Sequence, residues 1–302
     1  MSAGSELAGV MVALATPVEE SGAVDTGGLE RLVERVIAGG VDGISPAGST
    51  GEGPKLTREQ RVWLARRVRG LAPASMPVIP GVPVITIPDA RCELDALSEA
   101  GASAALVSAP SYYPISDAAV LRLYQTLADL SPLPLVLYNI PVFTKVRIAP
   151  EVAAELAAHP NVTGIKDSSR DMEYQQQLIS ACAGPEFSVL TGTDSLLVAS
   201  LVVGARGTIA ASANLAPELA VGIYRAFTAG DSAMAVRLQQ QLSDVVAACR
   251  RGELPAGWKA ALEIAGVCRA HLVPPGSPLS ADQRDELAAL LAAAWPAGAA
   301  AR

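Results

Sequence analysis

The stretch LVLYNIPVFTKVRIAPEVAAELAAHPNVTGIKDSS, residues 135–169, reads as strand, helix, strand. Leu135–Tyr138 and Val162–Ile165 are short and apolar on both faces, the pattern of parallel strands covered by helices. Between them, residues 150–158 have helical spacing and open on Pro150, whose missing N–H is no loss at a helix start. Both runs end in polar residues, Tyr138-Asn139 and Lys166-Asp167-Ser168-Ser169.

The same unit recurs on either side. Further strands are expected at Val10–Ala15, Gly43–Ser45, Pro77–Pro80, Ala104–Ser108, Ser188–Thr191 and Gly207–Ala210. Helical spacing recurs over 27–38, 57–70, 90–100, 117–129, 172–182, 194–203 and 217–229. Thr57 with Gln60 forms a capping-box signature, and Asp117 is a similar start signal. Eight strand–loop–helix units in succession predict an α/β fold, a closed (β/α)8 TIM barrel. An open doubly wound sheet would carry a Gly-rich phosphate loop after an early strand, and neither GxGxxG nor GxxxxGK[ST] occurs. Helical patterns then continue at 232–251, 257–266 and 281–294, with Pro274-Pro275-Gly276 between the last two. The chain therefore divides into a barrel, residues 1–230, and a C-terminal helical extension, residues 231–302, too small to bury a core alone.

Composition narrows the function. The chain has 302 residues, 50% of them hydrophobic, and a formal charge of −7. The apolar fraction is ample for a core, and the acidic balance speaks against nucleic acid as a partner. No apolar run reaches the roughly 20 residues that span a bilayer, so no membrane partner is expected. Met1 to Leu7 lack the charged and apolar regions of a signal peptide, which predicts a cytoplasmic protein. Cys92, Cys182, Cys249 and Cys268 are too widely spaced for a zinc motif or a disulfide framework. His159 and His271 have no ligand at short spacing, so neither a metal nor a catalytic imidazole is expected.

In such a barrel the site lies at the C-terminal ends of the strands. Lys166 is the sharpest residue there, because the chain has four lysines against nineteen arginines. An amine can lose its proton when desolvated and attack a carbonyl, which a guanidinium cannot do. The plainer alternative is a solvent-facing lysine paired with Asp167. Tyr138 ends the strand expected beside that of Lys166; its phenol can relay protons, or simply bond a carbonyl. Gly48-Ser49-Thr50-Gly51 offers hydroxyls and backbone N–H groups for an anion, or is no more than a tight turn.

Taken in order, Gly48-Ser49-Thr50-Gly51-Glu52, Pro110-Ser111-Tyr112-Tyr113-Pro114, Tyr138-Asn139-Ile140-Pro141 and Gly164-Ile165-Lys166-Asp167 resemble the dihydrodipicolinate synthase / N-acetylneuraminate lyase family of class I, Schiff-base aldolases. Ala15-Thr16-Pro17 and Gly204-Ala205-Arg206-Gly207 fit as well, and the resemblance runs from about residue 8 to 292. It implies a barrel with a helical extension, assembled as a homotetramer, a dimer of dimers. It implies that Lys166 forms a covalent imine with pyruvate or another 2-oxo acid, with no metal and no other cofactor. Tyr138 then shuttles protons, Ser49 and Thr50 hold the carboxylate, and Ile209 lines the pyruvate pocket. Tyr112 matches a tyrosine lent across the tight dimer to complete a proton relay. Imine formation needs a neutral amine, so the lysine is expected to be desolvated in the barrel mouth.

Departures from the family pattern bear on the substrate. Where the resemblance expects an arginine for the second substrate's carboxylate, this chain has Phe143, with Lys145 and Arg147 as nearby substitutes. Arg58 and Arg61 stand where the synthases' lysine-inhibition histidines would be. Asp194-Ser195 and Ala211 lack two contacts of the sialic acid branch, while Thr193 and Asp194 suit a shorter hydroxylated tail. These features predict a lyase or aldolase acting on a 2-oxo-3-deoxy sugar acid or a 4-hydroxy-2-oxo acid, with pyruvate and an aldehyde as partners. Dehydration of such an acid, the dihydrodipicolinate synthase condensation, and a silent 2-oxo acid-binding homologue are the alternatives.

Overall fold

The computed structural model describes residues 7–184 and 186–295. The leader reading falls on Met1 to Leu7, of which all but Leu7 lie outside the described residues. Eight parallel strands form the wall: β1 (Gly9–Ala13), β2 (Gly43–Ser45), β3 (Gly81–Pro83), β4 (Ala105–Ser108), β5 (Leu135–Asn139), β6 (Val162–Asp167), β7 (Ser188–Thr191) and β8 (Gly207–Ala210). Around them run α1 (Thr26–Ala38), α2 (Arg58–Leu71), α3 (Ile87–Glu99), α4 (Asp117–Leu130), α5 (Pro141–Thr144), α6 (Pro150–Ala157), α7 (Met172–Ala181), α8 (Leu197–Val202) and α9 (Pro217–Thr228). The extension is α10 (Ser232–Cys249), α11 (Ala256–Ile264) and α12 (Ala281–Ala294). Among the described residues no helix is long and apolar enough to cross a membrane.

Strands pair in sequence order from β3 to β8, and β8 pairs with β1, so the sheet curls into a (β/α)8 barrel. The seam between β2 and β3 is a single bridge, Ile44 to Val78. Here the structure shifts an expectation. Pro77–Pro80 lie in the wall, but regular pairing starts only at Gly81. Pro77 and Pro80 have no N–H for a ladder, so pairing here is interrupted: Ile44 N donates to Pro77 O and Leu106 N to Pro80 O, while Ile79 N donates to Ile44 O and Val78 N to the Ser103 hydroxyl. The expected helix over 194–203 is also divided. Asp194–Leu196 form a 3-10 turn before α8, because the Asp194 carboxylate turns inward to accept from Ser212 N at 2.7 Å. The turn α5 is too short for periodicity to reveal.

Alternation along the strands sorts apolar residues into two sets. Met11, Leu106, Val136, Tyr138 and Ile209 pack inside the barrel. Val10, Val12, Leu135, Leu137 and Ile165 face the helices. The Thr57–Gln60 capping box forms, with Gln60 N donating to Thr57 Oγ1 and Thr57 N to Gln60 Oε1. The cap of α4 is Ser116 rather than Asp117, which sits in the first turn. The extension shares the barrel's main core: Leu242, Val245, Trp258 and Leu287 pack with Val10, Leu32 and Leu219. Four cysteines are free, with Cys92 exposed and the others buried.

Candidate active site

A cavity of about 350 Å³ opens at the C-terminal ends of the strands. It is lined by Ser49, Thr50, Tyr138, Phe143, Lys166, Asp194 and Ile209, seven of the residues singled out in the sequence. The last turn of α10 and the loop beyond it supply another wall, including Cys249, Arg250 and Leu254. Burial raises the Cys249 thiol far above its usual range, which makes it a poor nucleophile.

Lys166 comes from β6 on the inward parity, directly across from Tyr138 of β5. Its side chain is buried, with the residue only 4% exposed, and its Nζ lies 4.4 Å from the centre of the Tyr138 ring. The pairing with Asp167 weighed from sequence does not form. Asp167 has the opposite parity and accepts from Asn139 Nδ2 at 2.8 Å, Ser169 N at 3.0 Å and Ser169 Oγ at 2.9 Å. Burial raises the Asp167 carboxyl above its ordinary pKa, against the lowering effect of those hydrogen bonds. Gly192, after β7, makes room for the lysine: a Cβ there would lie 2.1 Å from Ser168 Oγ and 2.7 Å from Lys166 Cε.

The Tyr138 hydroxyl lies 3.4 Å from Ser49 Oγ, a contact in which either can donate. Ser49 and Thr50 sit in a loop that folds onto its own backbone. Gly53 N donates to Gly48 O, and Thr16 Oγ1 to Gly51 O at 2.6 Å. A Cβ at Gly53 would fall 1.7 Å from Ala47 O, so this turn admits only glycine at that position. Glu52, in the left-handed region at φ 56°, directs its carboxylate inward. Its Oε1 meets Lys259 Nζ of α11 at 2.6 Å, and its Oε2 accepts from Val273 N at 3.1 Å. Lys259 also donates to His271 O at 2.7 Å. Burial pulls the Lys259 pKa down and Glu52 opposes that pull. The loop that carries Ser49 and Thr50 is thus anchored to the extension.

Lys259, Gly192 and the loop anchor were missed in the sequence. Lys259 did leave a trace, as a lone charge within Ala256–Leu262 of an otherwise apolar segment. Other expectations fare differently. Tyr112 is 87% exposed, meets the Tyr113 ring edge-on at 4.9 Å, and is outside the cavity of its own chain. Phe143 is half-exposed at the cavity rim. Neither Lys145 nor Arg147 lines the cavity. Lys145 Nζ donates to Val142 O, while Arg147 pairs with Asp171 at 3.1 Å and stacks over Tyr174. Arg61 is committed to a two-pronged pair with Glu93, both contacts 2.6 Å. His159 lies against Asp129, away from the cavity. Among the described residues no three His, Cys, Asp or Glu side chains gather so as to hold a metal ion.

Comparison with known proteins identifies the family. Residues 6–294 match the sequence model of the dihydrodipicolinate synthetase family. The 4-hydroxy-tetrahydrodipicolinate synthase of Methanoculleus marisnigri is 33% identical over 285 residues, 94% of this chain and 98% of that protein. Among solved structures, YagE, a prophage protein of E. coli K12 in complex with pyruvate, superposes with a TM-score of 0.92 at 30% identity, covering 95% of this chain and 98% of YagE. The dihydrodipicolinate synthase of Acinetobacter baumannii complexed with pyruvate gives a TM-score of 0.91 at 30% identity, covering 95% and 98% of the two chains. The chain belongs to the dihydrodipicolinate synthetase family and is a class I, Schiff-base-forming lyase.

Proposed function

We propose that this enzyme cleaves, or in reverse forms, the C3–C4 bond of a 2-oxo-3-deoxy sugar acid or related 4-hydroxy-2-oxo acid, yielding pyruvate and an aldehyde. The observation that carries the reading is the buried Lys166 amine facing the Tyr138 ring, with the Tyr138 hydroxyl in reach of Ser49. Lys166 Nζ attacks the keto carbon, and the oxygen leaves as water after proton transfer. The protonated imine is the electron sink. Removal of the C4 hydroxyl proton through Tyr138 breaks C3–C4, and the electron pair passes to an enamine instead of a bare carbanion. The aldehyde departs, C3 takes a proton, and water hydrolyses the pyruvate imine. Ser49 and Thr50 hold the carboxylate, Ile209 packs against the methyl side, and Phe143 and Asp194 flank the tail. Asp194 Oδ1 accepts from Ser212 N, which leaves Asp194 Oδ2 and the Thr193 hydroxyl for a tail hydroxyl. Tyr112, exposed on its own chain, suits a role across a subunit contact in a homotetramer.

The dihydrodipicolinate synthase condensation is the second reading, favoured by the name of the Methanoculleus relative. Against it stands Phe143 at the position expected to carry the synthase's arginine; neither Lys145 nor Arg147 lines the cavity, so a synthase would have to take the second substrate's carboxylate on other cations of the mouth. Dehydration shares the first steps. The test is borohydride trapping with pyruvate, intact mass and peptide mapping, followed by turnover with aldehydes that include aspartate β-semialdehyde. An adduct on Lys166 with turnover of hydroxyaldehydes supports the proposal. An adduct with turnover of aspartate β-semialdehyde alone transfers it to the synthase. No adduct in a folded, unblocked protein overturns the Schiff-base role of Lys166 and leaves a binding protein.

A further inference from the structure

The mouth of the cavity carries charge that the chemistry at Lys166 does not use. Arg170, in the loop after β6, and Arg250, which follows α10, both line it. Among the described residues no carboxylate lies within ion-pairing distance of either. Arg250 reaches only the Ser195 hydroxyl, at 3.5 Å. The neighbouring Arg251 makes the contrast, since it is tied to Glu286 at 2.8 Å and to the Ala248 carbonyl. Arg170 is moreover held in the left-handed region, at φ 63°, where a side-chain-bearing residue is uncommon. Burial and the like charge of Arg170 pull the Arg250 pKa down, with Asp194 opposing. Of the carboxylates that line the cavity, Asp194 accepts from Ser212 N through Oδ1, and Glu253, exposed like the two arginines themselves, makes no ion pair with either. In a chain of net charge −7, this is a local reversal of sign.

Two guanidiniums without carboxylate partners, facing one cavity, form a receptor for a second anion. The first anion, the 2-oxo acid carboxylate, belongs to Ser49 and Thr50. We infer that the aldehyde end of the substrate carries a phosphate or carboxylate, clamped between Arg170 and Arg250. The inference rests on the Schiff-base reading of Lys166 for the placement of that aldehyde. It also gives Phe143 a sense, because the anion is received from the β6 loop and the end of α10 instead of from α5.

The experiment measures condensation of pyruvate with glyceraldehyde, glyceraldehyde 3-phosphate and succinic semialdehyde, with the Lys166 adduct followed by mass in parallel. The expected result is a kcat/KM at least about tenfold higher for one charged aldehyde than for glyceraldehyde, and the favoured one identifies the anion. Arg170→Gln and Arg250→Gln are each expected to lower that ratio at least about tenfold, mainly through KM, with partial rescue by Arg250→Lys. An unbiased wild-type enzyme, or variants that slow neutral and charged aldehydes alike, would overturn the inference while the adduct preserves the proposed function. If no adduct forms, calorimetry with glycerol 3-phosphate, succinate and glycerol decides the arginine site by itself. Binding of an anion but not glycerol, lost in Arg250→Gln, supports it, and no anion binding overturns it.

Discussion

Lys166 in the barrel mouth is 4% exposed, and Lys259 in the helical extension is 0% exposed. The surroundings of the two amines differ. Lys259 has a carboxylate at 2.6 Å and a carbonyl at 2.7 Å, so its three protons are largely committed. Lys166 has an aromatic face and hydroxyls nearby, and the adjacent carboxylate is turned to the other side of the strand. A buried lysine with a carboxylate partner is a structural cation, held charged by its neighbour. A buried lysine without one has an amine left for chemistry. The difference arises from strand parity at one site and from a helix-to-loop contact at the other.

The comparison breaks most visibly if the two lysines are exchanged in role. Lys166→Ala is expected to abolish the borohydride adduct and to lower turnover by about 10³-fold or more, whereas Lys259→Met should keep the adduct on Lys166. Peptide mapping of both proteins after trapping decides it; an adduct on Lys259 would contradict the assignment. Stability should respond in the opposite sense. Lys259→Met leaves the buried Glu52 carboxylate with only Lys55 Nζ, at 3.3 Å, as a cationic partner and is expected to cost at most about 3–5 kcal/mol in urea unfolding. Adding Glu52→Gln should recover part of that loss, because it removes the poorly compensated buried charge and keeps an acceptor for Val273 N. Lys166→Met, which strands no carboxylate, should leave the urea midpoint unchanged or raised.

A smaller effect is expected beside Lys166. Gly192→Ala places a methyl against Lys166 Cε, so kcat/KM is expected to fall about 10–100-fold, while Lys259 and its pairing are untouched. Steady-state kinetics beside a melting curve separates misplacement of the amine from loss of fold; unchanged kinetics would remove Gly192 from the site. The smallest effect concerns Asp167. Its folded pKa lies above the ordinary value of 3.8, so the native state holds this proton longer than the unfolded chain. Stability from this group is present at low pH and declines as pH rises past that value. Asp167→Asn should flatten this decline of the urea-midpoint profile above the ordinary value of 3.8 without moving the pH dependence of adduct formation. A shift in the latter would mean that the carboxylate does govern the amine.

Much of the barrel and its mouth was legible because parallel strands in a closed ring all end on one face. Once Leu135–Tyr138 and Val162–Ile165 are strands, Tyr138 and Lys166 must be neighbours, and the loop after β2 must join them. Proline moved the third strand from Pro77–Pro80 to Gly81–Pro83 by withholding N–H groups, which periodicity does not register. The Glu52–Lys259 pair was hidden because nothing local links a loop after β2 to a helix beyond the barrel. Arg170 and Arg250 were hidden in the same way, one in a loop and one after a helix, and Gly192 acts through a side chain it lacks. Asp194 was found at the cavity, but its bond to Ser212 N depends on the eighth strand's turn and could not be read from β7 alone.

The anchor of the Ser49–Thr50 loop also sets an order in time. Val273, which donates to Glu52, comes 221 residues later in the chain. At common rates of synthesis the ribosome needs about 10–40 s to travel that far. Throughout that interval Ser49 and Thr50 exist, but the lysine and the backbone N–H that fasten their loop have not yet been made. The site is therefore finished by one of the last segments to emerge, and a chain released before α11 would carry every proposed catalytic side chain with the Ser49–Thr50 loop still unfastened.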